Sequence, residues 1–95
     1  MRKPRRMVRR AVALKYRRDL PAPLVLARGY GETAERMITI AHRENVPTIE
    51  QSGLVSRLET VDVGALIPES CYEVVARLLV FVRGLTPEGK LNERD

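Results

Sequence analysis

The chain opens its hydrophobic pattern with an alternation. Val12, Leu14 and Tyr16 fall on one side and Ala11, Ala13 and Lys15 on the other, the period-two signature of a half-buried β-strand. After a polar break, Leu24 to Ala27 is an unbroken apolar run suited to a central strand, followed by Arg28-Gly29-Tyr30-Gly31. Two strands therefore precede any helix. From Gly31 to Asn45 the period changes: Ala34, Met37, Ile38 and Ala41 stand at i, i+3, i+4 and i+7, one apolar stripe of a helix. Glu32 and Arg36 pair at i, i+4 on its exposed side, and Asn45 before Val46-Pro47 supplies a stop. Val46 to Glu50 then reads as a short third strand, with its proline placed where no backbone donor is needed, and completes a β-α-β unit.

Further on, Ser52 is expected to N-cap a short helix with Leu54, Val55 and Leu58 on its buried side. Thr60 to Val63 predicts a brief fourth strand before Gly64 breaks it. Pro68 opens the last helix, where its missing donor is harmless; Cys71, Val75, Leu78, Leu79 and Val82 mark the buried stripe, and Gly84 ends it. Only Arg77 is charged between Val74 and Val82, so the apolar face is wider than one sheet contact needs. Two readings stay open there: a helix buried on two sides by its own domain, or an exposed docking groove. The sum is an α/β (α+β) single domain, a small central sheet of about four strands surrounded by three to four helices. Residues 1–10 read as a basic flexible arm, 11–85 as the domain and 86–95 as a polar tail.

Composition narrows the class. The 95 residues, 44% hydrophobic and 31% charged, fit one globular domain and neither a disordered nor a membrane chain. No run approaches the ~20 apolar residues of a transmembrane helix, and the first ten residues lack the apolar middle of a secretory signal, so a cytoplasmic location is expected. Cys71 is the only cysteine, which excludes an internal disulfide and a thiolate metal cluster and suits core packing.

The net charge of +5 hides an asymmetry. Nine of the 17 basic residues fall within 1–18 with no acid among them, whereas the remaining 8 stand against 12 acids. Arg2, Lys3, Arg5, Arg6, Arg9 and Arg10 therefore form a basic contact arm for nucleic acid, anionic lipid or an acidic protein surface, and charge alone does not choose among them.

Catalytic chemistry is thin. His42 is the only histidine, with no nucleophile spaced around it, and the carboxylates sit at solvating helix positions, so neither a catalytic site nor a metal site is expected. Gly29-Tyr30-Gly31-Glu32-Thr33-Ala34 matches G-x-G-x-x-A, with Glu50 beyond it. Against a dinucleotide site, Glu32 puts negative charge where a pyrophosphate would lie and the chain has no room for a doubly wound sheet. The glycines read instead as a tight strand-to-helix turn, and no cofactor is expected. Nucleic-acid binding through the arm is the main rival to a protein-interaction role, but one Phe, three Tyr and no Trp give no stacking platform.

The ordered set Ala-Leu-Lys-Tyr at 13–16, Ala22-Pro23, Arg28-Gly29 with Gly31, Ala34, Val46-Pro47, Leu54 to Leu58, Ile67-Pro68, and Tyr72 with Val75-Ala76 and Leu79 resembles the C-terminal cytoplasmic domain of FlhB/YscU proteins. These are export-switch components of flagellar and virulence type III secretion. Family members carry Asn-Pro-Thr-His before the first strand and cut themselves there; here the equivalent stretch is Arg6, Met7, Val8 and Arg9, so self-cleavage is expected to be absent. The family's membrane portion is also missing, and the chain looks like the short free-standing FlhB-like homologue. The resemblance implies a domain that docks export substrates or export-gate proteins, including a full-length FlhB-type membrane protein, peripherally at the membrane. It implies a substrate-docking pocket on Ala22, Pro23, Ala76 and Leu79. The oligomeric state is not fixed by any of these features.

Overall fold

The structure, a computed structural model, describes residues 8–83. Strands β1 (Arg10–Lys15) and β2 (Leu24–Tyr30) form an antiparallel hairpin. Helices α1 (Glu32–Arg43) and α2 (Ser52–Leu58) follow, and a 3-10 turn, Glu69–Cys71, leads into α3 (Tyr72–Arg83).

Cross-strand partners share a face of a sheet. One face of the hairpin carries the pairs Val12/Arg28 and Leu14/Val25, the other Ala11/Gly29 and Ala13/Ala27. The register skips Leu26, because Ala13 opposes Ala27 while Leu14 opposes Val25. This bulge explains the unbroken apolar run at 24–27: Leu26 is the extra residue, half exposed at 52%, while Val25 is fully buried. The large-residue face packs on α2 and α3 in a core of Ala22, Val25, Leu54, Leu58, Ile67, Cys71 and Val75, flanked by Val12, Leu14, Val61, Val74, Leu78 and Leu79. The small-residue face receives α1. Ala34 there is fully buried, and a Cβ on Gly29 would stand 2.7 Å from Met37 Sδ, 2.8 Å from Thr33 Cγ2 and 3.0 Å from the Ala34 nitrogen. The expectation that both glycines serve the turn is thus half right. Gly31 does so, with φ +61° and ψ −127°, while Gly29 lets helix and strand approach.

The expected third and fourth strands are not formed. The Val46 N–H closes α1 by bonding the Ala41 carbonyl at 2.8 Å, Pro47 has no N–H, and the Thr48 hydroxyl donates back to the Val46 carbonyl. Few groups in that segment are left for a ladder. Asn45 does stop α1: at φ +60° its N–H bonds the His42 carbonyl, the inner bond of a Schellman close whose outer bond is made by Val46. Residues 60–63 are spent on turns, with Val61 N–H on the Leu58 carbonyl and Ala65 N–H on that of Asp62. The strand-like contact comes a few residues later. Val25 N–H bonds the Ala65 carbonyl, Gly64 N–H the Val25 carbonyl and Ile67 N–H the Pro23 carbonyl, with a single bridge between Leu24 and Leu66. Gln51, not Ser52, is the N-cap of α2, and no side chain caps it. Pro68 precedes the 3-10 turn, not α3 itself, and Val82's side chain and Gly84 lie outside the described residues.

Candidate docking surface

Pro21-Ala22-Pro23 leads the chain into β2, and Ala22, 3% exposed, and Pro23 are both buried. Cys71, the last residue of the 3-10 turn, and Val75 on α3 form the buried line at i, i+4. Helical spacing puts Tyr72, Ala76 and Val80 on the neighbouring strip beside Leu79, and all three are exposed while Leu79 is half-buried. The 2.6 Å ion pair between Arg77 and Glu73 borders this strip. Of the four residues expected to form one pocket, Ala22 and Leu79 meet in the same apolar cluster, Pro23 lies beneath the surface, and Ala76 stands outside the cluster on the solvent side. The arrangement is an apolar strip with a buried edge.

Phe81, 81% exposed, is the most open large apolar side chain among the described residues, and its spacing puts it on the opposite flank of α3, with Val74. No local pattern distinguishes it, since Val80 and Val82 beside it are equally apolar.

A different depression, about 400 Å³, is lined by Ala11, Arg28, Gly29, Tyr30, Thr33 and Glu59. Its structure-making residue is Arg28, which donates to the carbonyls of Glu59 and, at 2.9 Å, Val61. Arg10 bonds the Glu59 carboxylate at 2.9 Å. This corrects the extent of the basic arm: Arg10 belongs to β1, opposite Tyr30, and the Arg9 carbonyl accepts the Gly31 N–H. Arg2, Lys3, Arg5, Arg6 and Met7 lie outside the described residues, while Val8 and Arg9 are exposed.

His42 is exposed on the last turn of α1 and Cys71 is fully buried, so the two stand in unlike settings. Among the described residues no three His, Cys, Asp or Glu side chains gather as metal ligands, and no helix is long and apolar enough to cross a membrane. Glu50 follows no second parallel strand, so the G-x-G-x-x-A match lacks the unit that gives that motif its meaning. The Asp19 carboxyl is lowered in pKa, first by its hydrogen bond from Arg17, within the exposed turn between the strands.

A two-stranded hairpin with α1 on its small-residue face and α2 and α3 on the other defines a small α+β domain. The profile of the family described as FlhB HrpN YscU SpaS matches residues 8–82, and the chain belongs to that family. It is 38% identical over 76 residues to YlqH of Bacillus subtilis (strain 168), covering 79% of this chain and 82% of that one. It is 34% identical over 74 residues to the flagellar biosynthetic protein FlhB of Aquifex aeolicus (strain VF5), covering 76% of this chain but 21% of that protein. The chain thus spans about a fifth of the length of this FlhB relative. A mutated EscU C-terminal domain, solved by crystallography, superposes with a TM-score of 0.74 at 30% identity, covering 79% of this chain and 93% of that one.

Proposed function

We propose that this chain is a protein-interaction domain of the bacterial flagellar or type III export apparatus. It docks export substrates or export-gate proteins, influences which substrates pass, and does so without catalysis or self-cleavage. The observation that carries the reading is family membership over nearly all the described residues, joined to an apolar strip on α3 that the described residues leave uncovered. Tyr72, Ala76 and Val80 supply the open surface and Leu79 its inner edge, against the cluster that holds Ala22, while Pro23 is buried just ahead of β2. The chain works in the cytoplasm beside the membrane apparatus, where the basic residues ahead of β1 are suited to anionic lipid or an acidic export component.

The test is an NMR titration of the labelled chain with a segment of a secreted export substrate from the same bacterium. Shifts centred on Tyr72, Ala76 and Leu79 are expected, with loss of binding in a folded Ala76→Glu variant. A variant that binds as well as the parent, or shifts that avoid α3, overturns docking at this surface. Preferential capture of nucleic acid by the purified chain would favour the rival reading.

A further inference from the structure

We propose that the open edge of β1 accepts an extended, acidic-ended peptide segment as an added β-strand. The backbone accounting of the hairpin leads there. The register runs out to Arg10 opposite Tyr30, and one step beyond it the Gly31 N–H bonds the Arg9 carbonyl at 2.9 Å, which continues the ladder with Arg9 and Gly31 as a hydrogen-bonded pair. Such pairs alternate along an antiparallel ladder. Ala11 and Ala13 therefore turn their backbone groups toward β2, while those of Arg10 and Val12 turn away from it. Past the bulge the phase is checked independently: Val25, partner of Leu14, spends its N–H on Ala65 and its carbonyl on Gly64, so Leu14 also points its backbone outward. Three donor–acceptor sets, at Arg10, Val12 and Leu14, thus line one edge with no backbone partner among the described residues. β1 holds no proline, and the extra residue of the bulge beside Ala13 and Leu14 lies on β2, so the alternation along β1 itself is unbroken.

Charge selects the occupant. Arg9 and Lys15 stand exposed at the two ends of the edge, and β1 holds no acid. A second copy pairing antiparallel about Val12 would set Lys15 of one copy against Arg9 of the other, and like charges directly opposite are destabilising. A strand with acidic ends meets both cations. Its middle is best β-branched, because the position beside Val12 extends the face that packs on Leu54 and Leu58. Main-chain bonds would provide the affinity and the end charges the direction, as in other strand-addition complexes. This edge is distinct from the α3 strip, so either surface can fail its test without the other.

The probe is the capped hexapeptide Glu-Thr-Val-Thr-Val-Glu added to the full chain, read by amide hydrogen exchange and NMR shifts. In the free protein the amides of Arg10, Val12 and Leu14 are expected to exchange at least about tenfold faster than those of Ala11 and Ala13. The peptide should slow the three outward amides and move signals at residues 9–15; a counterpart with lysine at both ends should do neither, and Lys15→Glu should weaken the acidic peptide. Outward amides as protected as the inward ones in dilute free protein would overturn the proposal. So would millimolar acidic peptide leaving β1 unchanged, or equal binding of the lysine peptide. Protection that rises with protein concentration alone would assign the edge to a second copy, against the proposal.

Discussion

Arg28 on β2 donates to the backbone carbonyls of Glu59 and Val61, residues 31 and 33 positions further along the chain. The contact closes the end of α2, whose last carbonyls have no partner within the helix, with a cation placed where the helix dipole favours one. It ties the hairpin to the turn that carries the chain toward α3. Arg10 adds a second bond to the same residue through the Glu59 carboxylate.

Arg28→Ala should therefore destabilise the fold by about 1 kcal/mol, less than the roughly 1.5–3 kcal/mol of hydrogen bonds to a charged group because the side chain is exposed. Arg28→Lys should recover only part, since an ammonium lacks the planar fork. Urea unfolding checks both, and an unchanged midpoint in the alanine variant would show the contact to be energetically silent.

Gly29→Ala should cost about 2 kcal/mol, because the new methyl meets Met37, Thr33 and the Ala34 nitrogen with no room to spare. Pairing it with Met37→Ala should relieve part of the loss, but not the clash with helix backbone. Thermal unfolding of the single and double variants reads this directly. A single variant as stable as the parent would mean that α1 stands further from β2.

Truncation should separate the basic residues into two groups. The apolar core and its flanking residues run from Val12 to Leu79, so removal of Met1 to Arg6 is expected to leave the melting temperature unchanged. Extending the deletion through Arg10 removes the Arg9–Gly31 bond and the Glu59 ion pair, and should lower it by several degrees. Equal melting temperatures for the two truncations would contradict the assignment of Arg10 to the fold.

The chain should also stay whole. Arg6-Met7-Val8-Arg9 holds neither the Asn-Pro bond nor the histidine of the self-cleaving relatives, so intact mass after prolonged incubation at neutral pH should show one species. A fragment from this stretch, formed with proteases excluded, would remove the distinction.

Substituting α3 should divide its faces. Ala76→Glu is expected to cost less than about 1 kcal/mol because its carboxylate stays in water, whereas Val75→Glu should cost several kcal/mol by burying a charge. Chemical denaturation of the pair measures this, and a severe loss in the Ala76 variant would place that residue in the core.

Much was settled by local pattern. The alternation at 11–16, the i, i+3, i+4, i+7 stripe of α1 and the Asn45 stop are each specified by residues close together in the chain and stand where the sequence puts them within a residue or two, whereas α3 begins at Tyr72, four residues after the expected Pro68, because a 3-10 turn comes between. The ordered motifs from Ala13 to Leu79 likewise sufficed for the family. What the tertiary structure decided were matters of pairing between distant residues. Val46 to Glu50 has strand-like composition, but α1 takes its first N–H and proline removes the next, so it joins no sheet. The edge beside Leu24 went instead to Gly64–Ile67, an assignment that rests on three long-range backbone bonds and leaves no periodic signal. Arg10 looked like one more charge of a basic leader until Glu59, 49 residues away, was brought beside it. The breadth of the α3 face was legible as composition; which part of it meets solvent depended on where Val25, Leu58 and Ile67 packed, because burial is set by what arrives from elsewhere in the chain.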